Sequence, residues 1–222
     1  MRTYIQISGF DKSGFFESVA SELRESINNL DSITFIASRP EEYRKNDDYA
    51  ARIFRWFHES GLGFKRYNII DKRIEAGMQK ELMRKTSCIF LLGGSTNRQL
   101  DFLTAQELIP IIKNHEGVII GLSAGAINMS IRSIIANPLS PPTSTHIGMG
   151  LVKTTVVPHF ENITDEFMRT DIFPLASEEP VYCLCDNAII VTKGDRIRHN
   201  GTIYKVLNGT VRLLADDDLI QP

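Results

Sequence analysis

The run Val118-Ile119-Ile120-Gly121-Leu122-Ser123-Ala124-Gly125-Ala126 constrains this chain more than any other stretch. An apolar strand-like segment ends in Gly-x-Ser-x-Gly, and a helix-compatible segment with Ile127, Met129 and Ile131 follows. A chain that passes from strand to helix in so few residues must turn sharply at the serine. Small residues two before and two after allow that turn without a side-chain clash. The turn exposes the hydroxyl at the sheet edge. It also sets the hydroxyl at a helix N-terminus, where amide N–H groups and the positive dipole end can hold a developing oxyanion. Such a serine is a candidate nucleophile. The same spacing also fits a plain glycine-flanked turn whose serine only caps the helix.

The surrounding pattern fits an α/β sheet. Short apolar runs at Tyr4–Ile7, Ile33–Ala37, Tyr67–Ile70, Cys88–Leu92 and Val118–Gly121 read as strands. Helical patterns lie between them at Gly14–Ile27, Asp47–Glu59, Asp71–Arg84 and Asn97–Lys113. In the second of these, Tyr49, Ile53, Trp56 and Phe57 recur at helical spacing and form one apolar stripe. Strands alternating with helices imply a mostly parallel sheet covered on both faces, with functional residues at the carboxyl ends of the strands. Residues 134–150 are rich in Pro, Ser, Thr and Gly and read as an irregular excursion. Beyond it, turn signals at Lys193-Gly194-Asp195, Asn200-Gly201 and Asn208-Gly209 predict an antiparallel meander attached to the parallel sheet. No linker or repeat divides residues 1–222, so one domain is expected.

A second glycine turn, Gly93-Gly94-Ser95, follows the strand at Cys88–Leu92. If that strand neighbours the one before Ser123, the backbone amides of this turn can complete an oxyanion hole with that of Ala124, although the same residues also fit a plain strand–helix turn. The turn lacks the lysine of a P-loop and the spacing of a dinucleotide fingerprint, which argues against nucleotide binding. A serine nucleophile needs a base, and the chain has five histidines: His58, His115, His146, His159 and His199. His58 reads as solvated, His115 sits at the amino end of the nucleophile strand, and His199 precedes a turn. His146 lies in the Pro-rich excursion. His159 follows the β-rich run at Val152–Val157 and a proline, at a strand end that can meet Ser123.

Composition excludes several other classes. The net charge is −2, and no stretch is basic enough to track a nucleic-acid backbone. The apolar runs are too short to span a bilayer, and the N-terminal segment lacks the apolar core of a signal peptide. Three cysteines (Cys88, Cys183 and Cys185) cannot all pair and lack metal-site spacing. A reducing, cytoplasmic location is expected, with no metal or organic cofactor.

Taken together, Gly121-Leu-Ser-Ala-Gly-Ala126, Gly93-Gly-Ser95 and Pro158-His-Phe160 resemble the peptidase E family of aspartyl dipeptidases, relatives of cyanophycinase. The resemblance covers most of the chain. It implies a class I glutamine-amidotransferase-like α/β fold with serine in place of the cysteine nucleophile. It further implies Ser123 as nucleophile, His159 as general base, and Gly94, Ser95 and Ala124 as oxyanion donors, although the family usually has a third small glycine where this chain has Ser95. The family's arginine for the acidic side chain of an N-terminal aspartate corresponds to Arg169, which reads equally well as a surface partner of Asp165 or Asp171. An acidic residue before the terminal hairpins corresponds to Asp186, with Asn187 the alternative if the match shifts.

The expected function is that of a serine exopeptidase, a monomer or homodimer, which hydrolyses short peptides, dipeptides with an N-terminal aspartate among the candidates, through an acyl-enzyme on Ser123. The sequence also fits two alternatives. One is a non-catalytic or regulatory module of the same fold. The other is an esterase-type α/β hydrolase using Ser123, Asp186 and His199.

Overall fold

The computed structural model describes residues 2–10, 13–136, 143–161, 163–215, 218 and 220. The prolines of the irregular excursion (Pro138, Pro141 and Pro142) lie outside the described residues. The chain begins with β1 (Thr3–Ile7), α1 (Glu17–Ser26), β2 (Ile33–Ile36), α2 (Tyr43–Glu59) and β3 (Tyr67–Ile70). It continues through α3 (Ala76–Lys85), β4 (Cys88–Leu91), α4 (Thr96–Ala105), α5 (Ile109–Asn114), β5 (Val118–Leu122) and α6 (Ala124–Met129). The expected helix over Asn97–Lys113 is thus two helices. Glu107 adopts a left-handed φ of +54°, which ends α4, and Pro110 then sits in the first turn of α5, where its missing N–H costs nothing.

The second half contains β6 (Arg132–Ile135), β7 (Ser144–Ile147), β8 (Thr155–Val157) and a short α7 (Asp165–Phe167). A π-helical turn (Met168–Ile172) and a 3-10 turn (Phe173–Ala176) follow directly. Then come β9 (Val181–Leu184), β10 (Ile189–Lys193), β11 (Arg196–Asn200), β12 (Ile203–Leu207) and β13 (Thr210–Leu213). Among the described residues, the main sheet runs β11-β10-β1-β5-β4-β2-β3, and β1, β5, β4, β2 and β3 are parallel.

Every residue of β4 and β5 is buried, as a sheet covered on both faces requires. Successive side chains enter opposite cores: Ile120 packs with Phe35, Phe57 and Phe90 beneath α1 and α2, while Ile119 packs with Met83, Phe102 and Met129 on the other side. Phe57, fully buried from the stripe of α2, is the kind of side chain whose truncation to alanine costs about 3–5 kcal/mol.

The C-terminal meander divides between two sheets. The hairpin β10–β11 turns at Gly194 (φ +60°) and extends the main sheet antiparallel to β1. The hairpin β12–β13 turns at Asn208-Gly209 and joins β9 and β8 in a separate four-stranded sheet. At Asn200-Gly201 the chain therefore crosses between sheets rather than forming a hairpin. A Cβ at Gly201 would lie 2.8 Å from Ala188 Cα, so the crossing chain passes directly over the backbone entering β10. Among the described residues, no helix is long and apolar enough to cross a membrane.

Candidate active site

Strands β1, β5 and β4 are adjacent and parallel, so the loops at their carboxyl ends converge. At the end of β5 the two motif glycines are required by close packing. A Cβ at Gly121 would lie 2.6 Å from the Ala126 amide nitrogen, and one at Gly125 would lie 2.4 Å from the Leu91 carbonyl oxygen. Between them Ser123 is held at φ +49°, ψ −105°, a conformation that costs a non-glycine residue about 1–3 kcal/mol. Its amide donates to Ile7 O at 2.8 Å, which ties the turn to β1. The hydroxyl makes no helix-capping bond. Instead, Ser123 Oγ lies 2.8 Å from His159 Nε2.

His159 comes from the loop after β8 and is itself left-handed, at φ +57°. Ser8, just past β1, holds it there: the His159 amide donates to Ser8 Oγ at 2.7 Å, and that hydroxyl donates to Leu184 O at 2.9 Å. The Phe160 amide also donates to Leu184 O, at 2.9 Å. On the far side of the ring, His159 Nδ1 is 2.7 Å from Asp186 Oδ1. Asp186 arrives because β10 runs antiparallel to β1, with Ile189 opposite Ile7, so the turn entering β10 lies at the carboxyl end of β1. Asn187 does not face the imidazole by a bond. It stays in the turn at φ +65°, its amide donating to Gly9 O at 2.9 Å. The histidine side chain is 53% exposed and that of Asp186 33%, so the pair is open to a ligand.

A cavity of 930 Å³ opens over this group, within the size range of small-ligand sites. Its wall includes Ser123, His159, Gly93, Gly94, Tyr49 and Glu161. Gly94 takes φ +136°, and a Cβ there would meet Ser38 Oγ at 2.3 Å, so glycine is needed at this bend. Ser38 Oγ donates to Gly93 O at 2.5 Å and fixes the loop. Ala124 begins α6 and presents its amide at the helix N-terminus, directly after Ser123. The arrangement can generate a serine nucleophile with an oriented base and amide donors at two adjacent strand ends.

The family model of peptidase family S51 matches residues 5–200. The chain belongs to that family, the peptidase E family. Membership indicates a serine-type peptidase. A peptidase from an acI-B1 Actinobacterium has a similar structure, with TM-score 0.75 and 15% identity over 99% of this chain and 96% of that one. A candidate peptidase E from Listeria monocytogenes EGD-e superposes with TM-score 0.66 and 19% identity over 90% of this chain and 98% of that one. At these identities the likeness concerns the fold, the α/β architecture with its mostly parallel sheet. No curated protein matches the chain.

Other residues singled out in the peptidase's sequence lie elsewhere. Ser95 caps α4, its Oγ accepting from the Arg98 amide at 3.4 Å, and it is not among the residues of the cavity wall. Arg169 is exposed on the π-helical turn and does not line the cavity either. That segment buries Phe167, Met168 and Ile172 against Val157, Val181 and Val206, and this packing leaves Arg169 on the outer side. His199 lies on β11 with Nε2 3.1 Å from Asp218 O, so it is His159 rather than His199 that meets Ser123. Ser8, Gly9 and Glu161, all in contact with the His159–Asp186 pair, carry no motif that would single them out. A serine and glycine just past the first strand are the only hint of the first two.

Proposed function

We propose that this S51 peptidase is a serine exopeptidase that hydrolyses short peptides through an acyl-enzyme on Ser123. The hydrogen-bonded chain Ser123 Oγ–His159–Asp186, with links of 2.8 and 2.7 Å, carries the reading. His159 Nε2 takes the Ser123 proton as Oγ attacks the scissile carbonyl carbon. The proton then passes to the leaving amine as the C–N bond breaks. Water, deprotonated by the same nitrogen, attacks the ester and releases the acid. Asp186 accepts from Nδ1–H, fixing the tautomer and stabilising the imidazolium. Amides of the Gly93–Ser95 turn and of Ala124 would receive the oxyanion.

Aspartate as the first residue is the finer part of this reading, and it requires a cation. The Arg169 assignment has its support in family resemblance alone. A second hollow, of 340 Å³, shares Tyr49, Gly93 and Gly94 with the main cavity and is bordered by Arg39, Lys45 and Arg52 together with Glu42 and Asp48. Arg39 and Lys45 pair with Glu42, whereas Arg52 has no ion pair among the described residues. Arg52 is therefore the better-situated partner for an acidic side chain.

The test is labelling of Ser123 by a serine-directed phosphonate, followed by hydrolysis of a dipeptide panel with Asp, Glu, Asn and Ala first. An unlabelled serine and an inert panel would favour the non-catalytic reading. Loss of any Asp preference in Arg169→Ala, with Arg52→Ala unaffected, would return the selector role to Arg169.

A further inference from the structure

We propose that Glu161 binds the ammonium group of the substrate, foremost the free α-amino group of its first residue; this rests on the exopeptidase reading above. Glu161 is the only Asp, Glu, Lys or Arg among the described residues of the main cavity wall. The remainder of that wall is neutral, from Phe10, Ile127 and Ile135 to the hydroxyls of Thr96 and Tyr49.

The residue is also tied to the reacting groups. The Glu161 amide donates to His159 O at 2.9 Å, and Glu161 Oε1 accepts from the Asp186 amide at 3.2 Å. A neutral acceptor would serve that amide equally well, so the bond does not account for the charge. A substrate lying over the cavity strips water from the carboxylate, which is unfavourable unless the substrate supplies a cation. A short peptide carries one cation at a fixed place. Its α-ammonium is two bonds from the carbonyl carbon of the first residue, the carbon that Ser123 would attack in removing that residue. A lysine side chain offers the same chemistry from a longer tether.

The experiment compares Ala-Ala, acetyl-Ala-Ala and acetyl-Lys-Ala as substrates of the wild type and of Glu161→Gln. Glutamine keeps an oxygen for the Asp186 amide, so a purely structural role predicts equal changes on all three peptides. The proposal expects wild type to favour the free amine, and expects Glu161→Gln to lose roughly ten- to a hundredfold of that preference, chiefly in KM. A wild-type preference for acetyl-Lys-Ala over acetyl-Ala-Ala that vanishes in the variant would support the cation site with the side chain as its source. Unchanged ratios among the three peptides overturn the proposal while leaving the peptidase reading intact. Binding of the same peptides to Ser123→Ala, with and without Glu161→Gln, separates the two claims. Glu161-dependent affinity for the free amine without turnover in the wild type would uphold this site and sink the acyl-enzyme. Absence of any such dependence in binding as well as in turnover would sink the site.

Discussion

A methyl group at position 9 would sit 2.3 Å from Asp186 Oδ1 and 2.6 Å from His159 Cε1. Gly9→Ala should therefore push the carboxylate off the imidazole without touching the core. Because displacement of a catalytic group by about 1 Å can cost ~100-fold, kcat should fall by at least that factor, while the melting temperature moves by only a few degrees. Steady-state kinetics and thermal unfolding of the same preparation check both parts. Ser123→Ala should remove ~10⁴-fold or more of the turnover, and its folded state should persist, since one hydroxyl at a solvent-facing turn packs against little. Asp186→Asn should cost a similar factor by favouring the wrong tautomer, with Asn187→Ala acting on the turn more than on the chemistry. If Asp186→Asn is nearly silent while Asn187→Ala is crippling, the orienting group is the amide. At this scale the sequence was most legible where a motif is local. Gly121-x-Ser-x-Gly125 announces a strained turn within five residues, and Pro158-His159 marks a strand end. The choice between Asp186 and Asn187 was open because it depends on the register of β10 against β1, and no local pattern encodes that register.

Among the elements, α4 and α6 matter most, because each begins at a loop proposed to donate to the oxyanion. Two buried amide side chains hold them together. Asn128 Nδ2 donates to Thr96 O at 3.0 Å and to Gln99 Oε1 at 3.2 Å, and Gln99 Nε2 donates to Leu92 O at 3.0 Å. Both residues are fully buried, so their polar atoms have no recourse to water. Asn128→Ala removes the donor from two acceptors on α4, Thr96 O and Gln99 Oε1, and should lower stability by about 1–3 kcal/mol in denaturant unfolding. It should also loosen the two helix N-termini against each other, so kcat should fall more than KM rises. A variant that loses stability but keeps kcat would mean that each loop is fixed by its own strand alone. Strand positions were readable from apolar runs, because β4 and β5 are buried on both faces and have no polar alternation to confuse them. The split of α4 from α5 was not, since a left-handed glutamate such as Glu107 has no sequence signature.

For the molecule as a whole, the decisive joint is the crossing from β11 in the main sheet to β12 in the second one. Asn-Gly at 200–201 reads as a hairpin turn from sequence, because the dipeptide tolerates positive φ wherever it occurs; only the partner of β12 distinguishes a hairpin from a crossing. Here that partner is β9, and the Cys185 amide donates to Thr202 O at 3.0 Å, so the crossing chain is bonded to the turn that carries Asp186. Gly201 has φ +85°, and a Cβ would stand 2.8 Å from Ala188 Cα and 3.0 Å from Asn187 O, both backbone atoms that cannot rotate aside. Gly201→Ala should thus destabilise by about 1–3 kcal/mol and displace Asp186 enough to reduce turnover. Gly209 provides the control: its φ is +71°, but a Cβ there meets nothing within 4 Å. Gly209→Ala should show only the strain of its backbone, about 1 kcal/mol, with turnover unaltered. Chemical denaturation and kinetics on the two variants separate strain from displacement. Equal losses of stability with full activity in both would mean that the crossing chain does not position the Asp186 turn, and that β10 alone sets its place against β1.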